Sequence, residues 1–251
     1  MTDKMELSNK ALAVRRKLGE DESSPIDIFS LVQTISSLTL AFYPLGKNIS
    51  GACLKCKKSV VIAINSEMSI GRQRFSLAHE LYHYFFDTDT SSTICSSKIG
   101  FGNAKEKDAD RFASYFLMPS GALYEKIQEC KQGELRELLV EEIVKLEQYF
   151  GVSRGAMLYR LQEEDEINAS EVGNLQQGVK ISAARLGYDV SLYNPSPESK
   201  KKCVLGHYIL QAEKLLEEGI ISNGKYEEFL LEAFRDDIVY GIELDGGDMI
   251  D

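Results

Sequence analysis

The residues best suited to chemistry lie in one short segment, residues 74–86, which contains the pattern His79-Glu80-x-x-His83. The segment has no glycine or proline, and its apolar residues recur at helical spacing. On a helix, positions i and i+4 lie side by side, so His79 and His83 can present two imidazole nitrogens to one ion. Glu80 lies about 100° further round the helix and can reach a water on that ion. Zinc suits neutral imidazole, so the pattern predicts a zinc centre; a buried helix with two packed histidines is the alternative.

A further ligand is expected on a second helix downstream. Residues 104–118 have a helical pattern that ends at Pro119. Glu106 and Asp110 are one turn apart on one face of this helix. A zinc site of this kind needs a carboxylate as third ligand and a second carboxylate to hold a ligand imidazole. The alternative is a solvated acidic first turn, which the helix dipole favours, but the nearby His-Glu-x-x-His pattern favours the metal interpretation.

Taken in order, these motifs resemble those of the ImmA/IrrE family of zinc metallopeptidases, which are compact gluzincins. The similarity covers about residues 8–165 and is carried by residues 74–83, 106–113 and 116–119, by three upstream segments at 50–52, 61–65 and 72–74, and by residues 150–153. The resemblance implies His79, His83 and Glu106 as metal ligands and Glu80 as the general base. It implies Asp110 as the partner that holds a ligand histidine. Tyr82 stands where many family members have glycine, which places a bulky phenol near the site.

The resemblance also implies a function. It implies Zn²⁺ as cofactor and endopeptidase activity on a protein partner, a helix-turn-helix (XRE-type) repressor or antitoxin. Such proteins regulate transcription in mobile elements, stress responses or toxin–antitoxin pairs. Two alternatives stay open: a non-proteolytic zinc-binding regulator or toxin neutralised by a partner, and a DNA-binding regulator built on residues 138–163.

The charge of the chain argues against direct nucleic-acid binding. Its 29 basic and 39 acidic residues give a net charge of −10. Residues 139–161 imitate a helix-turn-helix, but residues 134–168 hold nine acidic and four basic side chains, a net charge of −5. Phosphate contacts need clustered Lys and Arg, so this segment is interpreted as a helical packing module.

The cysteines and the hydropathy pattern bear on the compartment. Five cysteines in 251 residues do not indicate a secreted disulfide framework. Cys53 and Cys56 have the spacing of a zinc knuckle or a redox pair, but they lie in strand-like sequence and are interpreted as ordinary strand cysteines. His207 has no ligand at a suitable spacing and is expected to be a surface or packed histidine. No signal peptide or membrane-spanning run is visible, so a cytoplasmic protein is expected.

The predicted fold class is α+β, with a small β-sheet packed against a helical zinc-metallopeptidase core and a mainly α-helical C-terminal region. Helices are expected over 5–18 and 26–35, a strand over 38–43, and a hairpin of 51–56 with 59–65. Residues 87–103 are expected to be a loop that covers the cleft or extends freely.

Three regions are predicted along the chain: a metallopeptidase core at 1–120, a helix-turn-helix-like module at 121–168 and a C-terminal region at 169–251. In the last, residues 170–200 are expected to be a linker or loop and Lys200–Lys202 to open a helix over 207–216. A second helix is expected over 225–234, followed by a solvated acidic tail. This region is not expected to be needed for zinc binding.

Overall fold

The computed structural model describes residues 2–87 and 92–241, and the structural statements below concern those residues. Five strands form one sheet: β1 (Leu38–Tyr43), β2 (Ile49–Lys55), β3 (Val60–Asn65), β4 (Ser92–Ser96) and β5 (Cys203–Gly206). The described part of the chain also contains twelve α-helices: α1 (Lys4–Lys17), α2 (Ile28–Val32), α3 (Ile70–Phe86), α4 (Ala104–Leu117), α5 (Ser120–Lys131), α6 (Val140–Phe150), α7 (Arg154–Glu163), α8 (Ala169–Leu175), α9 (Val179–Arg185), α10 (His207–Glu217), α11 (Asn223–Glu232) and α12 (Asp236–Tyr240).

The sheet has the strand order β4-β2-β3-β1-β5. β1 runs parallel to β3, from the pair Leu38 and Val60 to the pair Tyr43 and Asn65, whereas the other neighbours are antiparallel. The central strands are rich in β-branched and apolar residues, which suit a sheet covered by helices. α3 lies across β2 and β3, α4 packs beside α3, and α1 packs against α4. The predicted α+β fold is confirmed.

Local sequence sets both ends of α3. The Ser69 hydroxyl accepts a hydrogen bond from Arg72 N at 3.4 Å and so caps the first turn. Gly71 lets the helix approach the turn between α6 and α7, because a Cβ at this position would lie 2.5 Å from Ser153 N and 2.7 Å from the carbonyl carbon of Val152. The N-terminal end of α3, the helix that carries His79-Glu80-x-x-His83, therefore packs directly against the backbone of the turn between α6 and α7.

Two predictions about irregular segments are wrong. Residues 170–200 are not simply a linker, because they contain α8 and α9. α8 buries no residue and α9 buries only Ala183, so hydrophobic periodicity gave no signal for either helix. Residues 87–103 are not simply a loop, because they contain β4, which pairs with β2; residues 88–91 lie outside the described residues. β4 buries a single side chain and has no alternating pattern to indicate a strand.

The C-terminal region contributes a strand that the sequence analysis missed. Lys200–Lys202 do not open a helix; they lead into β5, which pairs antiparallel with β1 before α10 begins at His207. Gly206 makes this turn with a φ of 82°, and a Cβ there would lie 2.6 Å from Leu38 O. A strand of four residues is too short to give a clear pattern in sequence.

The remaining boundaries differ less. The helix expected over 26–35 is shorter, Ile28–Val32, and the acidic tail begins with α12, while residues 242–251 lie outside the described residues. The helices expected over 207–216 and 225–234 are present as α10 and α11. None of the helices in the part that the structure describes combines the length and apolar character needed to cross a membrane.

The segment before β5 also touches the start of α3. Ile70 N donates to Asn194 O at 2.8 Å, and the buried Ser196 hydroxyl donates to Gln73 Oε1 at 3.1 Å. Further along, Tyr193 packs with Val144 in a second, smaller apolar cluster. These contacts join the C-terminal region to the core, and the proposed boundaries at 120/121 and 168/169 stay predictions.

We expect a chain ending at Asn168 to hold the metal with a lower melting temperature. All proposed ligands precede Pro119, whereas the deletion removes β5 and the contacts to Ile70 and Gln73. Zinc content by elemental analysis and thermal unfolding by circular dichroism would test this. An insoluble or metal-free product would show that the core ends later than residue 168.

Replacing Gly71 by alanine should lower the free energy of unfolding by about 1–3 kcal/mol, because the new methyl group meets backbone that cannot move aside. Gly155→Ala is the matched control, since nothing lies within 4 Å of a Cβ at that helical position. There alanine should stabilise by about 0.5–1 kcal/mol. Urea denaturation measures both, and equal stability of the two variants would contradict the close approach.

Candidate metal centre

α3 places its two histidines side by side, with their Nε2 atoms close together. The Nε2 atoms of His79 and His83 are 3.2 Å apart, and both side chains are buried. Their spacing of four residues produces this arrangement, because both imidazoles project from one face of the helix. Two imidazole nitrogens that point at each other at this distance can share a hydrogen or a cation.

α4 adds a carboxylate to the pair. Glu106 Oε2 lies 3.3 Å from His79 Nε2, and Glu106 Oε1 lies 3.5 Å from His83 Nε2. Asn103 caps α4 by accepting a hydrogen bond from Glu106 N at 3.1 Å, which holds this residue in the first turn. Tetrahedral zinc with bonds of 2.0–2.1 Å separates its ligand atoms by about 3.3–3.4 Å. The three donor groups therefore fit a zinc ion in both chemistry and spacing.

A carboxylate contacts the Nδ1 atom of each of the two histidines, on the side of the ring away from the shared Nε2 atoms. Asp110 Oδ1 lies 2.8 Å from His79 Nδ1, and its other oxygen accepts a hydrogen bond from Gly100 N at 2.6 Å. Asp87 Oδ2 lies 3.0 Å from His83 Nδ1. An Nδ1–H that donates to a carboxylate leaves the Nε2 lone pair free for a metal. The structure thus places Asp110 where the sequence analysis expected it and adds Asp87 as its counterpart.

Asp87 was missed, although it stands four residues after His83, a spacing that was visible in the sequence. Two lysines hold it in place. Lys105 Nζ lies 2.8 Å from Asp87 Oδ2, and Lys55 Nζ donates to Asp87 O at 2.7 Å and to Tyr84 O at 2.9 Å. Lys55 thereby satisfies carbonyl groups at the C-terminal end of α3, where a cation also suits the helix dipole.

Glu80 is fully buried, and neither of its carboxylate oxygens has a hydrogen-bond partner within the described residues. It lies over Gly51 of β2, where a Cβ would come within 2.8 Å of Glu80 Oε1. Burial raises the pKa of Glu80 to about 7. A buried carboxyl without a partner is unfavourable for folding, whereas a pKa near neutrality suits a group that must accept and return a proton.

The carboxylates around the histidines favour positive charge at the centre. Burial alone would lower the pKa of His79, but hydrogen bonds to Asp110 and Glu106 outweigh it and raise the pKa to about 10. Burial, together with the charge on His79, lowers the pKa of His83. The cluster therefore stabilises one cationic group between its carboxylates, and a divalent cation meets the same requirement.

Cys95 is a further donor at the same place. Its Sγ and the donor atoms of His79, His83 and Glu106 all lie within 4.8 Å of one another. Burial, and the charges of Glu80 and Glu106, raise the pKa of the Cys95 thiol. Cys95 was not predicted as a donor from the sequence, because residues 87–103 were expected to be a loop.

A cleft of about 380 Å³ opens beside the cluster. It is lined by His79, Glu106 and Asp110, by residues of β4 and by the segment that leads into α4: Ser92, Thr93, Ile94, Ser96, Lys98, Phe101, Gly102 and Asn103. Ile94 and Phe101 are exposed apolar side chains at this cleft. Tyr82, in contrast, packs against Phe86 and Phe112 in the core.

The other candidate ligands do not assemble into a site. Within residues 2–87 and 92–241, donors of the metal-binding types converge only at the cluster described above. Cys53 is buried in β2, and Cys56 is exposed. His207 lies near the surface and is hydrogen-bonded through Nδ1 to Ser36 O at 2.7 Å.

The α+β fold and the His-Glu-x-x-His cluster define a metallopeptidase-like domain. Residues 42–162 match the Peptidase M78 family model, which is described as the IrrE N-terminal-like domain. This span contains both histidines, Glu80 and Glu106, so it is a domain of the ImmA/IrrE family, and the predicted resemblance is confirmed. No curated protein matches the chain.

Removing either supporting carboxylate should weaken metal binding. We expect Asp87→Ala and Asp110→Ala each to lower zinc affinity by roughly 10–100-fold. Each substitution removes the carboxylate that accepts a hydrogen bond from the Nδ1 of one ligand histidine, so that imidazole ring loses its orientation. His83→Ala should lose most of the zinc, since it removes one of the two imidazole ligands. Competition with a chelating dye measures the affinities, and Glu67→Ala, at an exposed carboxylate, is the control. Unchanged affinity in Asp87→Ala would remove Asp87 from the site.

Proposed function

We propose that this chain is a zinc-dependent endopeptidase that cleaves a protein partner, a helix-turn-helix (XRE-type) repressor or antitoxin. One observation carries the peptidase proposal. The Nε2 atoms of His79 and His83 and the carboxylate of Glu106 face one point, and the buried, unpartnered carboxylate of Glu80 lies beside them. The choice of a repressor as partner rests on the family resemblance.

In this proposal zinc supplies an activated water and polarises the scissile carbonyl. His79, His83 and Glu106 would hold the metal, while Asp87 and Asp110 fix the two imidazole rings. Glu80 accepts the proton that the water gives up and then delivers it to the departing amide nitrogen. Burial raises the pKa of Glu80 above the usual range of a carboxyl, and a group of this kind can accept a proton and return it.

The cleft supports an extended peptide as substrate. β4 is the outermost strand of the sheet in the described residues, and β2 pairs with only one of its edges. The other edge offers backbone N–H and C=O groups, with which an extended chain can pair as an additional strand. Because β4 also lines the cleft next to His79 and Glu106, a peptide paired there would pass the metal.

The helix-turn-helix-like segment gives little support to DNA binding. Arg154 forms a buried ion pair with Glu147, and Arg160 is buried and pairs with Glu164. These are the two arginines of α7. Since their guanidinium groups are engaged within the protein, the helix lacks free cations for phosphate contacts. The same ion pairs support the interpretation of α6 and α7 as a packing module.

Glu80→Gln should abolish cleavage without loss of zinc. The amide keeps the size of the side chain but cannot accept the proton, a role typically worth about 10²–10⁴ in rate. The measurement pairs zinc content by elemental analysis with cleavage of a candidate helix-turn-helix repressor, chosen from the genes next to that of this protein, followed on gels and by mass spectrometry of the fragments. Glu67→Gln is the control variant.

Two outcomes would change the proposal. Equal cleavage by wild type and Glu80→Gln would remove Glu80 from the mechanism. Tight binding of the repressor by the zinc-loaded wild type without any cleavage would favour the non-proteolytic regulator instead.

A further inference from the structure

The metal centre has one donor more than a peptidase site requires. Catalytic zinc sites use three protein ligands and leave the fourth position open, whereas structural sites are closed by four. Here His79, His83 and Glu106 make three, and Cys95 Sγ lies within 4.8 Å of all three donor atoms. A thiolate is also a better ligand for zinc than water is, because sulfur is a soft donor and the zinc ion is borderline soft.

The register of the sheet directs Cys95 towards the metal. Cys95 is the only buried side chain of β4, while its neighbours Ile94 and Ser96 are exposed. It lies opposite Gly51 of β2, so the two positions face the same side of the sheet. Gly51 has no side chain, and the Glu80 carboxylate lies over it, so that a Cβ at this position would come within 2.8 Å of Glu80 Oε1. A buried thiol therefore occupies the side of the cluster on which the general base lies.

We propose that Cys95 is the fourth ligand of the resting metal site and keeps the peptidase latent until it is displaced, an inference that rests on the function proposed above. Tetrahedral zinc with one sulfur at about 2.3 Å and nitrogen at about 2.0–2.1 Å places these atoms about 3.5–3.6 Å apart. Cys95 Sγ lies within 4.8 Å of the other donor atoms, so a movement of little over 1 Å would bring it to bonding distance.

Binding and release of Cys95 at the metal need no reactant other than water and a proton. When Cys95 binds, its S–H bond breaks, a sulfur–metal bond forms and one proton passes to solvent. When Cys95 leaves, it takes up a proton and water replaces it.

Displacement of Cys95 is linked to the substrate by the position of β4. The strand that carries Cys95 also lines the cleft, and its outer edge is unpaired within the described residues. A peptide that pairs with β4 forms hydrogen bonds with the backbone of the five-residue strand that contains Cys95. Binding of substrate and opening of the metal site are therefore coupled.

X-ray absorption at the zinc edge tests the inference on the zinc-loaded chain of 251 residues. Wild type should show one sulfur at about 2.3 Å together with nitrogen and oxygen neighbours at about 2.0–2.1 Å. Cys95→Ala should keep about one zinc per chain but show no sulfur, and Cys95→Ser serves as a second variant. Cys53→Ala is the control, because Cys53 is an equally buried cysteine of the same sheet and should leave the sulfur signal unchanged.

Acetohydroxamate, a small zinc chelator, tests the latency. It should bind zinc-loaded Cys95→Ala with a dissociation constant lower by roughly tenfold or more than wild type, because an internal competitor has been removed. One zinc per chain with only nitrogen and oxygen neighbours in wild type would overturn the role of Cys95 and leave the peptidase proposal intact. Equal hydroxamate affinity would overturn the latency. Absence of zinc from wild type and variants alike would overturn the proposed function itself.

Discussion

The packing of α3 against α4 is the interaction on which the site depends. α3 carries both histidines and Glu80, α4 carries Glu106 and Asp110, and neither helix holds a metal alone. Aromatic contacts set the distance between them: the ring of Phe112 lies 5.6 Å from the ring of Tyr82 and 5.6 Å from that of Phe86. The hydrophobic core therefore fixes the spacing of the polar groups, which a metal site must keep to within a few tenths of an ångström.

The centre concentrates negative charge in a buried place. Asp87, Asp110, Glu80 and Glu106 surround two imidazoles, and Lys105 is a nearby cation that reaches one of them. Buried carboxylates without full compensation oppose folding. A divalent ion would supply the missing positive charge, and its binding would then be coupled to the stability of the fold. The surrounding carboxylates would help both to orient the ligands and to retain the cation.

Sequence patterns predicted the parts of the site that depend on local geometry. His79, Glu80 and His83 lie within one helical turn, and the pair Glu106 and Asp110 repeats the same spacing, so helix periodicity was enough to bring each group together. Asp87 obeys the same rule and was overlooked. Cys95 depends on the pairing of β4 with β2, and β5 depends on pairing with β1 from more than 150 residues away. Such short strands, like α8 and α9, bury too few side chains to leave a periodic signal.

The late position of β5 has a consequence for synthesis on the ribosome. Glu106 completes the set of proposed ligands, yet the edge of β1 receives its partner only when the chain reaches Gly206. At about 5–20 residues per second, roughly 5–20 seconds separate these two events. During that interval a nascent chain can bring the proposed ligands together while one side of its sheet is still unpaired, and an unpaired strand edge invites association with other chains. Early capture of the ion would favour the native arrangement over such encounters.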